Sequence, residues 1–549
     1  MFNSTKICIL DGYLDEPSCL GVPPYISPHV RYTYGALLAA GLSKEQLDYF
    51  TIDQLRGNRE ELLSKLRSAE IVVIVAGTTV PGKYLGGSPI TLTEIEEIGG
   101  CLEEPVVFLS GPIINCNLQV KSIDKLAEEV PGLAVYKELT GEDPTVELEI
   151  NEVVDSWARL GAELTVEHPN YPYLMCELET YRGCLREKHC SFCSEALKKA
   201  TYQRSIEGIV KEVERLAELG NHYFRLGSQT DLLLYQALEE KDNLVPNFEA
   251  IKKLYTGIRK VVPDLKTLHM DNINPSTIAD NPERSAKALK EIAKHNTAGD
   301  IAAFGLESAD PQVLAANNIG TSPEKTFEAI KIMNQVSAYR QAGVPKLLPG
   351  LNFLHGLKGE RPETLEYNFE FLQKVLTAGL MLRRINIRQV NPIQEYQAEY
   401  SYDKHQFKEY KQRINEEINQ PMLKRVFPQG TILKEVIVEQ IKGKLSYARQ
   451  LGTYPILVGI PGQHDLGESL EVKVVDHGYR SLTALPWPFD INQASVAELK
   501  TLPGIGKSRA MRIFMAKKIE NFAQLSQLLD HSYDIEQLED LITFKEEEY

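Results

Sequence analysis

Residues 181–200 read YRGCLREKHCSFCSEALKKA. Cys184, Cys190 and Cys193 stand together here, after the Arg182-Gly183 turn and before a run, Glu195 to Ala200, whose composition predicts a helix. Cys190 and Cys193 have the C-x-x-C spacing that lets one loop present two thiolates to a metal. Cys184, upstream, adds a third soft ligand, and no fourth cysteine follows. Two chemistries fit. A 4Fe–4S cluster held by three thiolates keeps one iron open to a substrate or cofactor. A structural zinc ion needs a fourth ligand, which His189 or Cys176 could supply.

The chain around this loop has 549 residues, too many for one core, and about three or four domains are expected. No run approaches the ~18 apolar residues of a membrane span, and the opening MFNSTKICIL has no basic-then-apolar leader pattern. Eight cysteines in this length do not make a disulfide scaffold, which points to a reducing, cytoplasmic setting. The net charge of −16 argues against coating nucleic acid by bulk charge, though a local basic patch is compatible with it.

Downstream of the loop, apolar runs predict strands at 222–226, 267–270, 302–306, 346–353 and 384–390. Helical patterns alternate with them, at 206–219, 247–261, 285–295, 323–342 and 363–376. Parallel strands in such a series build a barrel or partial barrel with its chemistry at their carboxyl ends. Polar residues gather just after every run: Gly227-Ser228-Gln229-Thr230-Asp231, Asp271-Asn272, Glu307-Ser308, Asn352, His355 to Glu360, and Arg388 to Asn391. Together with three thiolates they describe a cofactor mouth.

This middle region resembles a radical S-adenosylmethionine (SAM) enzyme, although the family commonly has C-x-x-x-C-x-x-C and this chain has a longer first gap. The resemblance implies that Cys184, Cys190 and Cys193 hold a 4Fe–4S cluster and that SAM chelates its open iron. Phe192 matches the aromatic position whose backbone contacts adenine. Gly227-Ser228-Gln229 stands where the family's Gly-Gly-Glu meets the methionyl amine, with Gln in place of Glu. Glu307-Ser308 resembles a position near the ribose and carboxylate, Gly350 to Glu360 (Asn352 among them) the glycine motif beside adenine, and Val390 a sixth-strand backbone contact. Asp271, Asn272 and Arg388 join them as SAM-site candidates, and Arg182, Arg383 and Arg384 are candidates for an anionic group. The implied chemistry is reductive cleavage of SAM to a 5′-deoxyadenosyl radical that abstracts a substrate hydrogen, with a low-potential electron donor as partner. No residue is singled out as catalytic.

Upstream, continuous apolar runs at 6–10, 70–76 and 105–109 predict a doubly wound parallel sheet over residues 1–165. Its ligand edge would lie at Gly77-Thr78-Thr79, Pro81-Gly82 and Ser110-Gly111-Pro112. The region resembles the cobalamin-binding or methylthiotransferase-like domains that precede radical SAM cores. It lacks the Asp-x-His-x-x-Gly loop of cobalamin binders, and Cys8, Cys19, Cys101 and Cys116 do not fall where a second cluster's ligands are expected. Cobalamin or a second cluster is thus a cofactor that the resemblance admits and the residues do not support.

Beyond the barrel, assigned to 166–430, strand-like runs at 454–460 and 470–475 predict a small β-barrel at 431–488 that resembles the TRAM domain of RNA-modifying enzymes. At 489–549, two helices around Leu502-Pro503-Gly504-Ile505-Gly506 resemble the helix-hairpin-helix motif. Gly504 and Gly506 let the backbone approach a phosphate, and Lys507, Arg509 and Arg512 lie in a stretch, Lys500 to Lys518, without an acid. Such contacts hold backbone and do not read bases.

The whole is an α/β chain: doubly wound domain, partial (β/α) barrel, small β-barrel and helix-hairpin-helix. It most resembles an uncharacterised archaeal family of radical SAM proteins with that C-terminal motif, distantly related to methylthiotransferases. The expected activity is modification of RNA, above all tRNA, by methylthiolation, methylation or another C–H functionalisation. The alternatives are a radical SAM enzyme acting on a protein or small molecule, and a non-enzymatic, metal-stabilised nucleic-acid-binding protein.

Overall fold

A computed structural model describes residues 5–16, 19–77, 86–115, 120–127, 130–198, 201–392, 395–516, 518–530 and 533–544. The first sheet runs, in spatial order, Leu47–Thr51, Ile7–Asp11, Ile71–Val75, Val106–Ser110 and Lys125–Leu126, all parallel. Its central strands, ICILD and IVVIV, are buried throughout because helices cover both faces, which is why they read as unbroken apolar runs. Thr78, Thr79, Pro81, Gly82 and Cys116 lie outside the described residues. At the crevice beside the first strand, a side chain on Gly12 would overlap Ile90. Asp11 is turned inward, accepting from the Tyr13 amide (2.9 Å) and the Tyr49 hydroxyl (2.9 Å). The described strand ends of this sheet offer no histidine to a cobalt ion.

Six parallel strands then curve into a partial barrel: Met175–Glu179, Tyr223–Gly227, Thr267–Met270, Asp300–Glu307, Leu347–His355 and Arg384–Gln389. An Asn272–Ala303 bridge joins the third to the fourth. Alternate residues such as Phe224, Leu226, Met270, Phe304 and Leu351 pack under the helices. Glu177, Arg225, Asp271 and Arg384 take the other face, the lumen. The barrel does not close. Its first strand pairs instead with Tyr25–Ile26 from the N-terminal region, and the sixth strand is left as the other edge.

A buried ionic network fastens the same two regions. Glu212, on helix Ile206–Glu218, accepts from Arg31 of helix Pro28–Ala39 and from Arg204, and all three side chains are fully buried. Arg204 also donates to Asp155 (2.7 Å) and to the Tyr32 hydroxyl (2.8 Å).

Two local expectations are corrected. In the run after Cys193 the described residues form one 3-10 turn, Ser194–Leu197, where a helix was expected, and Lys199 and Ala200 lie outside the described residues. Lys198 pairs with Glu195 (2.7 Å) and reaches Glu16 (3.7 Å), so buried ion pairing overrides local propensity. The helix from Pro323 ends at Ser337, where the chain turns into a hairpin of Arg340–Gln341 with Val344–Pro345.

The small barrel closes five strands, Ile432–Lys442, Leu445–Gln450, Leu457–Pro461, Ser469–His477 and Ser481–Pro486, in the order first, second, third, fifth, fourth. Its third and fifth strands are parallel, the arrangement of an OB-type barrel. The connection at 451–456 is driven into the foot of the large barrel. There Thr267 Oγ1 donates to the Leu451 carbonyl (2.8 Å), the Tyr25 hydroxyl to the Gly452 carbonyl (2.7 Å), and the Thr453 amide to His269 Nδ1 (2.8 Å). Short helices, Val496–Leu499, Lys507–Met515, Phe522–Leu528 and Glu536–Glu539, end the described chain and share a core with Val475 and Leu485 of the small barrel. Among the described residues no helix is long and apolar enough to cross a membrane.

Candidate active site

The cysteine loop lies over the carboxyl ends of the barrel strands. Cys184, Cys190, Cys193 and Phe192 line one cavity with Asn272, Glu307 and Asn352, from the ends of the third, fourth and fifth strands. The loop is tethered by the Ser191 hydroxyl, which donates to Asn317 Oδ1 (3.1 Å), and by Arg186, which reaches Cys190 Sγ (3.5 Å) and the Asn318 carbonyl (3.3 Å). Burial pushes all three thiols up. Ligands of a tetrahedral zinc ion stand about 3.8 Å apart when the Zn–S bond is about 2.3 Å. Among the described residues the group whose ligand atoms all lie within 4.8 Å of one another is Glu16, Cys19 and His29, and the three loop sulfurs do not form such a set. Cys176, fully buried on the helix-facing side of the first strand, cannot serve as a fourth ligand, whereas His189 lines the cavity.

The polar candidates divide. Glu307 takes a left-handed backbone (φ 64°) at a bulge after Gly305, and burial pushes its carboxyl up to about 8 against the opposing pull of Arg388. Asn352 accepts from Asn386 (2.9 Å) across the fifth and sixth strands. Ser228, also left-handed (φ 58°), keeps a buried hydroxyl without a partner, and Gly227 is required because a side chain there would overlap the Glu177 carboxylate. Four candidates are committed elsewhere. Gln229 folds back, donating to the Leu226 carbonyl (3.1 Å) and accepting from Thr180 (3.1 Å). Asp271 pairs with Arg225 (2.5 Å), Ser308 Oγ accepts from the Asp310 amide (3.1 Å), and Arg182 is buried against Glu179 (3.0 Å). The Val390 amide donates to the His355 carbonyl (2.7 Å), leaving the residue as a packing partner of Phe192. Sequence reading did not single out Glu177 and Arg225 (2.5 Å apart), whose signal is a charge at alternate positions of a buried strand.

Residues 178–372 match the family model of the radical SAM superfamily, and residues 488–536 that of the helix-hairpin-helix motif. An uncharacterised protein of Archaeoglobus fulgidus is 41% identical over 535 residues, 95% of this chain and 97% of that one. Another, from Methanocaldococcus jannaschii, is 40% identical over 509 residues, 87% of this chain and 92% of its own. The chain belongs to the radical SAM superfamily. Among solved structures, the radical SAM methyltransferase TsrM of Kitasatospora setae, with tryptophan and a SAM analogue bound, aligns at TM-score 0.47 and 15% identity over 70% of this chain and 73% of its own. For a radical SAM protein the family implies a 4Fe–4S cluster and SAM, and three cysteines on one cavity wall are a donor set that fits the cluster.

Where its barrel stays open, the radical SAM protein has a lateral cavity of ≈ 850 Å³. Arg384, Arg388, Lys411 and Arg480 line it, with the rings of Tyr25, Tyr454 and Tyr479. Arg384 donates to Asn386 (2.7 Å) and lies over the Tyr454 ring (3.9 Å), and Arg480 donates to Asn415 (3.3 Å). Among the described residues none of these four cations is ion-paired with a carboxylate, and Asp15 is the only acid of the lining. Tyr479 and Arg480 arrive on the loop between the fourth and fifth strands of the small barrel, one of the loops with which OB-type barrels hold oligonucleotides.

At the far end, Gly506 starts helix Lys507–Met515 with no side-chain cap and open space around it, and Gly504 is left-handed (φ 65°). Arg509 and Arg512, candidate phosphate contacts, are ion-paired. Arg509 donates to Asp530 (2.6 Å) and the Gly504 carbonyl (2.7 Å), and Arg512 reaches the same carboxylate (3.3 Å). Asp530, beyond the acid-free stretch, holds the hairpin through them, while Lys507 is exposed.

Proposed function

We propose that this radical SAM enzyme modifies RNA, with tRNA as its substrate. The supporting observation is the lateral cavity: unpaired arginines and stacking tyrosines beside the barrel lumen, in a protein of net charge −16. Arginine and lysine meet phosphates there, and Tyr454 and Tyr479 offer faces to unstacked bases. When bound, the cluster and SAM supply the radical chemistry that takes a hydrogen from the substrate. The chain's own residues orient and enclose. Glu307, its carboxyl pushed up by burial against the pull of Arg388, lines the mouth as a polar group for the bound cofactor or substrate. Arg388 faces the same lumen as a counter-charge for an anionic group.

The test is mass spectrometry of nucleosides from total tRNA of the host and of a strain lacking this gene. A single modified nucleoside should vanish, with its precursor in its place, and the mass difference names the added group. An unchanged tRNA profile ends the tRNA reading. The helix-hairpin-helix carries a separate expectation: Lys507→Glu lowers tRNA affinity and shallows its log–log salt dependence by about one unit or more. Filter binding across a salt series measures it, and an unaltered slope removes Lys507 from the interface.

A further inference from the structure

The foot of the large barrel holds a second cavity, of ≈ 770 Å³, at the opposite end of the strands from the cysteine loop. Thr267, His269, Gly299 and Lys346 at the strand starts face the 450–456 segment of the small barrel across it. Its charged lining is Arg259, Lys266, Lys294, Lys346, Arg383 and Lys434 against Asp264 and Glu435.

Three of these cations have acidic partners: Lys266 pairs with Glu435, Lys294 with Glu291 (3.4 Å) and Lys434 with Glu471 (3.6 Å). The other three have none among the described residues. Arg259 gives Nε (2.8 Å) and Nη2 to the His295 carbonyl. Lys346, 7% exposed, gives Nζ to the Asn296 carbonyl and to Gln341 Oε1 (3.3 Å). Arg383 gives Nη2 to the Tyr454 carbonyl (3.1 Å), and its Nε is buried without a hydrogen-bond partner among the described residues. Burial lowers the pKa of all three cations, that of Arg383 to about 9. Carbonyl oxygens offset part of the cost of holding a cation away from water, and a counter-ion is what offsets the rest.

We propose that this cavity binds a phosphate-bearing ligand, either a free polyphosphate or the backbone of a bound RNA, whose anionic oxygens meet Arg259, Lys346 and Arg383. The volume lies within the range of small-ligand pockets. Guanidinium forks and an ammonium are the groups that take phosphate oxygens in charge-assisted hydrogen bonds. The site stands apart from the cysteine loop, so a free polyphosphate there does not depend on the identity of the modified substrate, whereas the RNA-backbone source rests on the proposed RNA reading. Because one wall is the wedged segment of the small barrel, ligand there also braces the seat of that barrel.

The full-length protein is tested with two probes, inorganic pyrophosphate and an unmodified tRNA transcript, against an Arg259→Gln, Lys346→Met double variant. Pyrophosphate should raise the wild-type Tm, and its calorimetric affinity should fall by about tenfold or more in the variant. That outcome identifies a free polyphosphate. If pyrophosphate does not bind and the variant instead loses about tenfold in tRNA affinity, the ligand is the RNA backbone. Unchanged affinities for both probes overturn the proposal. Arg259→Gln alone, at a half-buried position, repeats the measurement if the double variant does not fold.

Discussion

A Cys193→Ala protein should emerge from anaerobic reconstitution without a stable cluster, its iron and sulfide falling from about four each per chain to near none. Production of 5′-deoxyadenosine from SAM should fall to background with them. The expectation follows from the loop's economy: its three thiolates line one cavity wall, and among the described residues no other cysteine lines that cavity. Cys176 faces the helices, and Cys8 is buried in the first sheet, its thiol pushed up to about 12 by burial. The fold should survive, since the turn after Cys193 is anchored by Glu195 and Lys198 and not by the thiol. A far-ultraviolet spectrum matching wild type, together with iron and sulfide analysis, separates loss of the cluster from loss of the fold. Zinc at one equivalent without sulfide in the wild-type protein would falsify the cluster assignment.

Glu212→Ala should destabilise the protein by about 3–5 kcal/mol, the usual effect of removing one partner from a buried ionic network. The carboxylate is the meeting point of two fully buried arginines that arrive from different regions of the chain. Without it, Arg204 keeps Asp155 and the Tyr32 hydroxyl, whereas Arg31 keeps only the Glu177 carbonyl. Glu212→Gln preserves an acceptor oxygen and should lose less. The two arginines outweigh burial and hold the Glu212 pKa below the ordinary value. Its stabilisation is therefore complete above the unfolded pKa, about 4.3, and lost as the pH falls through the folded one. Urea midpoints of wild type and Glu212→Ala should accordingly differ widely at pH 7 and converge on acidification below about pH 4. Equal midpoints at pH 7 would show that the network contributes nothing.

The parts legible in the sequence are those specified locally. Unbroken apolar runs marked three strands of the doubly wound sheet, apolar-rich runs marked five of the six barrel strands, and cysteine spacing marked the metal loop. The first barrel strand, MCELE, was hidden because Glu177 and Glu179 look like surface residues until a lumen of opposite charges surrounds them. Tyr25–Ile26 is too short to read and exists only through its pairing with Met175 and Cys176. Gln229 matched a cofactor motif by position, and only the fold brings Thr180 close enough to turn it away. Arg509 and Arg512 were read from an acid-free stretch, and their partner Asp530 lies beyond it along the chain. What the sequence hid was, in each case, a partner distant along the chain.

The wedged 451–456 segment has a mechanical consequence. Its hydrogen bonds fasten the small barrel to the foot of the large one, and the helical hairpin shares a core with the small barrel. From Lys507 to the cysteine loop the described chain is thus joined through these contacts, with the cavity at the foot of the large barrel beside them. The hairpin and the barrel mouth behave as the two jaws of a caliper. On the proposed RNA reading, a polynucleotide held at both would be selected by the distance along it between the two contacts.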